Sequence, residues 1–316
     1  MSQTPPLRFE RGVLIYNPVA GRNPARGKTR IDAAAALLNQ QGIRLQVVPT
    51  TGPASARQLA REAVEQGTNL ILVCGGDGTI NEVVNGMAGS RVPLGVLPGG
   101  TANVLAHELR LPRSPERVAR TLLAWEPRRI ALGCVRWPDP QQEQRYFLSL
   151  AGIGFDAYII RHLSETFKRN WGKLAYTAEA VRQWWRFDYR AFDCRFDGRT
   201  LKPTFAVVAR TRRYAGSFRL APKADLFGDY FIACIFYGAG RLNYLKYVAG
   251  LATGLLSAYK DVELTRTRRL EFSLPPGAEE QTRPYIEVDG ELTGRLPAKI
   301  EIVPDALTLL VPPGHH

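Results

Sequence analysis

Residues 70 to 85, LILVCGGDGTINEVVN, decide the fold. Leu70 to Cys74 are consecutive apolar residues, a run short enough for a strand buried on both faces. Gly75, Gly76, Asp77, Gly78 and Thr79 follow, and then Ile80, Val83 and Val84 recur at helical spacing. The stretch therefore reads as strand, glycine-rich turn, helix. That layout aims backbone N–H groups at whatever sits over the turn, and a helix N-terminus favours an anion there. Glycines lack a Cβ, so a ligand can approach the backbone closely. Asp77 sets a carboxylate beside the expected phosphates; it would repel them unless a cation lies between, which implies Mg²⁺. No Gly-Lys-Ser/Thr follows, so this is not a P-loop, and the spacing is not G-x-G-x-x-G. The plainer reading is a βα turn in which the glycines only make a bend. The Asp within the turn, with Thr79, Asn81 and Glu82 behind it, counts against that reading.

Upstream, Val13 to Tyr16 is a short apolar strand that runs into Asn17-Pro18-Val19-Ala20-Gly21. Arg30 to Gln41 reads as a helix ended by Gly42, Leu45 to Val48 as a strand, and Ser55 to Gln66 as a helix ended by Gly67. Downstream, Pro93 to Leu97 is another buried strand, leading into Pro98-Gly99-Gly100-Thr101-Ala102-Asn103 and a further helix that carries His107. This βα alternation predicts a doubly wound, mainly parallel sheet, whose ligands bind beyond the carboxyl ends of the strands. Glu116 to Trp125 closes this part as a helix.

From about Arg129 short β-rich runs replace the alternation: 130–137, 145–150, 191–196, 204–210 and 230–237. They predict a second, antiparallel β domain. Between them, residues 161–190 interleave Trp171, Trp184 and Trp185 with many Lys and Arg. That stretch reads either as a helix packed on the β domain or as a basic aromatic surface for anionic lipid. Tyr244 to Tyr259 is an apolar helix, either core or one wall of a lipid pocket. Ile286-Glu287-Val288-Asp289-Gly290-Glu291 ends a strand in a turn. If the strand persists, Asp289 and Glu291 project to one side of it; the plainer reading is a hairpin with Asp289-Gly290 at its corner. Residues 299–303 and 307–311 read as closing strands.

With 316 residues, 45% of them hydrophobic, the chain has room for two domains with cores. The net charge of +13 suits an anionic membrane, a phosphorylated substrate or nucleic acid, but the arginines are scattered and no nucleic-acid motif appears among them, so no nucleic-acid partner is expected. Cys74, Cys134, Cys194 and Cys234 lie far apart with no C-x-x-C, which argues against structural zinc or a disulfide framework and fits a reducing cytoplasmic compartment. No stretch approaches a membrane span, and the first residues lack the apolar core of a signal peptide. The oligomeric state stays open, a homodimer included.

Five separated motifs, N-P-x-x-G at Asn17–Gly21, GGDGT with NEVVNG at Gly75–Gly86, L-P-x-G-T-x-N at Leu97–Asn103, G-x-G-F-D-A at Gly152–Ala157 and D-G-E at Asp289–Glu291, resemble the diacylglycerol kinase catalytic family of bacterial lipid kinases, diacylglycerol kinases and sphingosine kinases. The resemblance implies an α/β ATP-binding domain at 1–129, completed by 304–316, a β-sandwich domain at 130–303 for the lipid substrate, and an active site in the cleft between. It implies ATP over the turn of Gly75, Gly76, Asp77, Gly78, Thr79 and Asn81, with Asn17, Thr50 (or Thr51) and Thr101 around it, and Mg²⁺ between the phosphates and Asp77. Asp77 and Glu291 are the implied catalytic residues, Glu291 as general base, while Asp289 either orients it or binds metal. Such a kinase would visit an anionic membrane surface from the cytoplasm. The family's Asp-Asp-Gly, whose aspartate helps hold a structural Mg²⁺, is replaced by Phe227-Gly228-Asp229, so Asp225 or Asp229 takes that duty or the loop is metal-free. Val104 stands where the family often has Asp. A kinase of a soluble acceptor, as in NAD kinase, and a non-catalytic lipid- or nucleotide-binding protein are the alternatives.

Overall fold

The computed structural model describes residues 9–21, 24–154, 190–214, 218–277 and 283–314. Phe155 to Ala157 of G-x-G-F-D-A and the basic aromatic stretch 161–189, with Trp184 and Arg186, lie outside the described residues. The chain divides into two compact units, Met1–Leu132 with Pro304–His316, and Gly133–Val303.

In the first unit, β1 (Arg11–Tyr16), β2 (Arg44–Pro49), β3 (Leu70–Gly75) and β4 (Pro93–Pro98) alternate with α1 (Pro24–Gln40), α2 (Ser55–Glu65) and α3 (Asp77–Met87). The strand order is β2-β1-β3-β4, all parallel, with Ile15 beside Val73 and Val73 beside Val96. Thr308 and Leu309, near the end of a last strand, continue the sheet in parallel beside β4. Every residue of β3 and β4 is buried, because helices cover both faces of a parallel sheet. The chain leaves β1 toward β2 on one side, while β3 and β4 lie on the other, so the sheet has its switch point between β1 and β3. The loops that follow those two strands meet there. Two short helices, α4 (Val104–Glu108) and α5 (Pro115–Thr121), follow β4; Ser114 caps α5 by accepting from the Arg117 N–H. The helix expected to reach Trp125 ends at Thr121 and passes into a 3₁₀ turn at Leu122–Ala124.

In the second unit the strands described below pair antiparallel. One sheet runs β14 (Val262–Thr267), β13 (Phe231–Phe236), β10 (Phe205–Ala209), β7 (Leu150–Ile153), β16 (Tyr285–Val288), β17 (Glu291–Arg295). Against it stands a layer that includes β8 (Asp193–Phe196), β9 (Arg199–Leu201), β15 (Arg269–Ser273) and the first residues of β18 (Ala298–Val311). The two strands expected at 299–303 and 307–311 are one continuous strand. Side chains alternate in register: Phe231, Ala233 and Ile235 of β13 enter the sandwich core with Phe272 and Ile300, whereas Ile232, Cys234 and Phe236 face a second cluster under α6 (Arg241–Thr253), where Tyr247 packs. Strands β10 and β13 are thus buried on both faces.

Candidate functional site

The site in the first unit is built from the loops after β1, β3 and β4. Asn17 ends β1, and its N–H donates to Cys74 O at 3.0 Å, which fastens the first loop to β3. Its side-chain amide donates to Thr79 Oγ1 at 3.2 Å. Asp77 opens α3 and accepts from the Val104 N–H at 2.8 Å, so one carboxylate caps α4 while sitting in the first turn of α3. The third loop is stiffened by Asn103, whose side chain accepts from Gly100 N at 2.9 Å and donates to Gly100 O at 2.7 Å. The two glycine turns press together: a Cβ on Gly100 would stand 2.5 Å from the Gly76 Cα. Most of these glycines are therefore required by the fold itself, Gly75 included, since its Cβ would strike Thr79 at 2.6 Å.

Gly76 differs. Its backbone is extended, with φ −82°, which any residue adopts, and a Cβ there would find its nearest neighbour 3.9 Å away. The fold does not require glycine at this position. The absent side chain keeps open the space in front of the α3 N-terminus, a cradle that suits a phosphate.

Asn81 is buried, and its side-chain oxygen accepts from Asn85 Nδ2 at 3.0 Å, so it supports α3 from within rather than facing the turn. Glu82 accepts from the N–H groups of Ala54 and Ala56 at 2.9 and 3.0 Å, capping α2 from a neighbouring helix where no residue of α2 does so. Gly86 lets α2 approach, since a Cβ would meet Arg57 O at 2.2 Å. Thr50 is half-buried just after β2 and is tied by its N–H to Tyr16 O at 2.8 Å, while Thr101 is exposed.

Beside these loops lies a pocket of about 270 Å³ that Asn17, Gly99 and Gly100 line together with Lys28, Arg30 and Arg113. Sequence reasoning missed these cations. Lys28 and Arg30 project from α1, each held by a carboxylate, Asp32 at 2.9 Å and Glu116 at 3.2 Å. Their only signal in the sequence is a position just after the first glycine loop. Cys74 also borders the pocket, and burial pushes its thiol up to about 12.

In the second unit, Asp289 and Gly290 form the corner between β16 and β17, both at positive φ (48° and 88°), the conformation of a type I′ hairpin turn. The strand does not persist through them, so Asp289 and Glu291 do not project side by side. The Asp289 carboxylate instead turns back and accepts from the N–H groups of Leu148, Ser149 and Leu150 at 2.9 to 3.0 Å. A carboxylate so occupied holds the loop. Glu287, which sequence reasoning passed over, is buried beneath the turn and accepts from Gly290 N at 2.8 Å. Glu291 opens β17 on the exposed surface. Among the described residues no three His, Cys, Asp or Glu, Asp229 included, cluster around a cation position.

An α/β unit with open space before a helix N-terminus at its switch point is joined in one chain to an antiparallel sandwich. Residues 11–135 match the diacylglycerol kinase catalytic domain, and residues 149–311 match the YegS C-terminal NAD kinase beta sandwich-like domain. A probable lipid kinase YegS-like protein of Chromohalobacter salexigens is 30% identical over 95% of this chain and 93% of its own. Diacylglycerol kinases of Mycobacterium tuberculosis and Bacillus subtilis are 26% and 27% identical, covering 94% and 92% of this chain and 94% and 93% of theirs. A crystal structure of a diacylglycerol kinase from Bacillus anthracis shares the fold, with a TM-score of 0.72 at 21% identity over 97% of this chain and 99% of that one. The chain belongs to the diacylglycerol kinase family of lipid kinases.

Proposed function

We propose that this kinase transfers the γ-phosphoryl group of ATP, with Mg²⁺, to the hydroxyl of a lipid. The observation that carries the nucleotide site is Gly76, a glycine with room for a side chain at the mouth of α3. The residues present fit both groups. Phosphates would lie in the Gly76 cradle on the α3 N-terminus, and Asn17, Thr79, Thr50 and Thr101 would contact the nucleotide. Asp77 would hold Mg²⁺, an ion that commonly takes one or two protein carboxylates and completes its shell with phosphates and water. Bound Mg²⁺ would supply charge neutralisation at the transferring phosphoryl group. Lys28, Arg30 and Arg113 would add positive potential that draws a polyanion toward the turn.

The chain's own chemistry is proton handling. A lipid hydroxyl must lose its proton as it is phosphorylated, and Glu291 is the proposed base, exposed at the end of a turn that Asp289 and Glu287 hold rigid. Contact with an anionic membrane surface belongs to the same proposal. Helix α6 leaves Leu242 (81%), Leu245 (48%) and Val248 (46%) exposed, beside Arg241 and Lys246. The helix itself carries no Asp or Glu, although Asp261 pairs with Lys246 at 2.5 Å. Among the described residues no helix is long and apolar enough to cross a membrane.

The test is phosphate transfer from labelled ATP to a panel of lipids in mixed micelles, beside NAD as a soluble acceptor, with Asp77→Asn as control. Labelled lipid from the parent chain, reduced about 10²-fold or more in the variant, is expected. Labelled NAD with no labelled lipid would overturn the proposed acceptor.

A further inference from the structure

Arg210 is among the largest side chains fully buried in the protein, at 0% exposure. It stands just past the end of β10, with every neighbour named here in the second unit. Its guanidinium donates from Nη1 to Gly228 O at 3.1 Å and from Nη2 to Leu226 O at 2.6 Å. Its backbone N–H donates to Ser149 O at 2.8 Å, on the same segment that Asp289 grips from the other side. Burial lowers its pKa to about 10, against the opposing pull of Asp229, Asp225 and Asp289, so the group stays charged at neutral pH. Asp225 itself folds back onto the loop and accepts from Phe227 N at 3.0 Å.

Alternate carbonyls of one turn converging on a single point, with carboxylates around them, are the donor set of a hard cation. Here the point is filled by a guanidinium, whose positive charge at hydrogen-bond distance from both carbonyls opposes a metal ion there. We infer that Arg210 is the resident cation of this unit, holding the 225–229 loop in place of a divalent metal and tying it through Ser149 to the turn that carries Glu291. The family resemblance assigned this loop a structural Mg²⁺; the residues present do not fit one. The inference concerns assembly of the sandwich unit and does not depend on which acceptor the enzyme uses.

The experiment is thermal unfolding of the nucleotide-free Asp77→Asn chain, in which the proposed phosphate-side Mg²⁺ ligand is removed, in EDTA and then in excess MgCl₂ or CaCl₂. A structural ion at a hundred times its dissociation constant would raise the midpoint by roughly 5–10 °C. No rise is expected, and a rise with either metal overturns the inference. In the otherwise unchanged chain, Arg210→Met removes the cation and leaves the Leu226 and Gly228 carbonyls without their donor. The midpoint is expected to fall on the order of 10 °C, and an unchanged midpoint overturns the inference as well. The metal titration needs no Arg210 variant, so it decides the question even if Arg210→Met fails to fold.

Discussion

The turn after β3 and the turn after β16 both set a glycine beside an aspartate, and they use that pairing in opposite ways. At Gly76-Asp77 the scaffold needs only part of what is there. Asp77 gives one oxygen to the Val104 N–H, and Gly76 could carry a Cβ without a clash, its nearest neighbour being 3.9 Å away. At Asp289-Gly290 the scaffold needs nearly everything. Both residues require positive φ, and the carboxylate engages three backbone N–H groups. The first turn keeps chemistry open for a ligand. The second consumes its carboxylate so that the next residue, Glu291, is presented on a rigid corner.

The largest effect that would break this comparison comes from Asp289. Asp289→Ala strands three backbone donors and should cost roughly 3–5 kcal/mol of stability, read as a lowered midpoint in thermal or urea unfolding. A fully stable Asp289→Ala chain would return this aspartate to the list of metal or catalytic candidates. Next comes Glu291→Gln, two residues on. It should leave the unfolding midpoint and the KM for ATP near the parent values while kcat falls about 10²-fold or more. An undiminished kcat would remove Glu291 as base.

The first turn was legible in the sequence for a physical reason. A strand buried on both faces, a glycine run and a helix are all local patterns, and LILVCGGDGTINEVVN carries each within sixteen residues. The β-rich character of the second region was legible from its short apolar runs for the same reason. What stayed hidden depends on residues far apart in the chain. Nothing in VVARTRRY marks Arg210 as a buried cation, because its partners Leu226 and Gly228 follow on another loop. Asp289 looked like half of a carboxylate pair because its donors lie about 140 residues upstream. The part Glu82 plays in capping α2 was hidden because its donors, the Ala54 and Ala56 N–H groups, lie 28 and 26 residues upstream. The cations of the pocket were hidden too, since Lys28 and Arg30 gain meaning only when α1 places them beside the Gly99-Gly100 turn.

A smaller effect sharpens the contrast within the first turn itself. Gly76→Ala and Gly100→Ala each add one methyl group, less than 4 Å from one another's backbone. Gly100→Ala forces a Cβ to 2.5 Å from the Gly76 Cα and should destabilise the protein by about 1–3 kcal/mol. Gly76→Ala makes only an ordinary van der Waals contact, 3.9 Å from the Gly100 Cα, so stability should be retained while ATP binding weakens about tenfold, near 1.4 kcal/mol. Equal losses of stability in the two variants would mean that both glycines serve packing alone, and the case for a phosphate cradle would fall.

The smallest effect tests the border of the pocket. Burial is the main reason the Cys74 thiol is pushed up to about 12, with Arg30 drawing it down and Glu116 opposing that. Its folded pKa lies above the unfolded value, so below pH ~8.5 both states hold the neutral thiol; above it the unfolded thiol ionises first, which stabilises the unfolded state, and stability should decline as pH rises from there toward 12. Below that window the thiolate is scarce, so alkylation by iodoacetamide at pH 8 should be slow, and about tenfold faster for each pH unit added. Peptide mapping isolates Cys74 from Cys134, Cys194 and Cys234, which are also buried. Because Cys74 shares its pocket with Asn17 and Gly99, ATP should slow its labelling further and leave the other three unchanged. Labelling of Cys74 that ignores ATP at saturating concentration would separate the pocket from the nucleotide and confine the ligand to the Gly76 side of the turn.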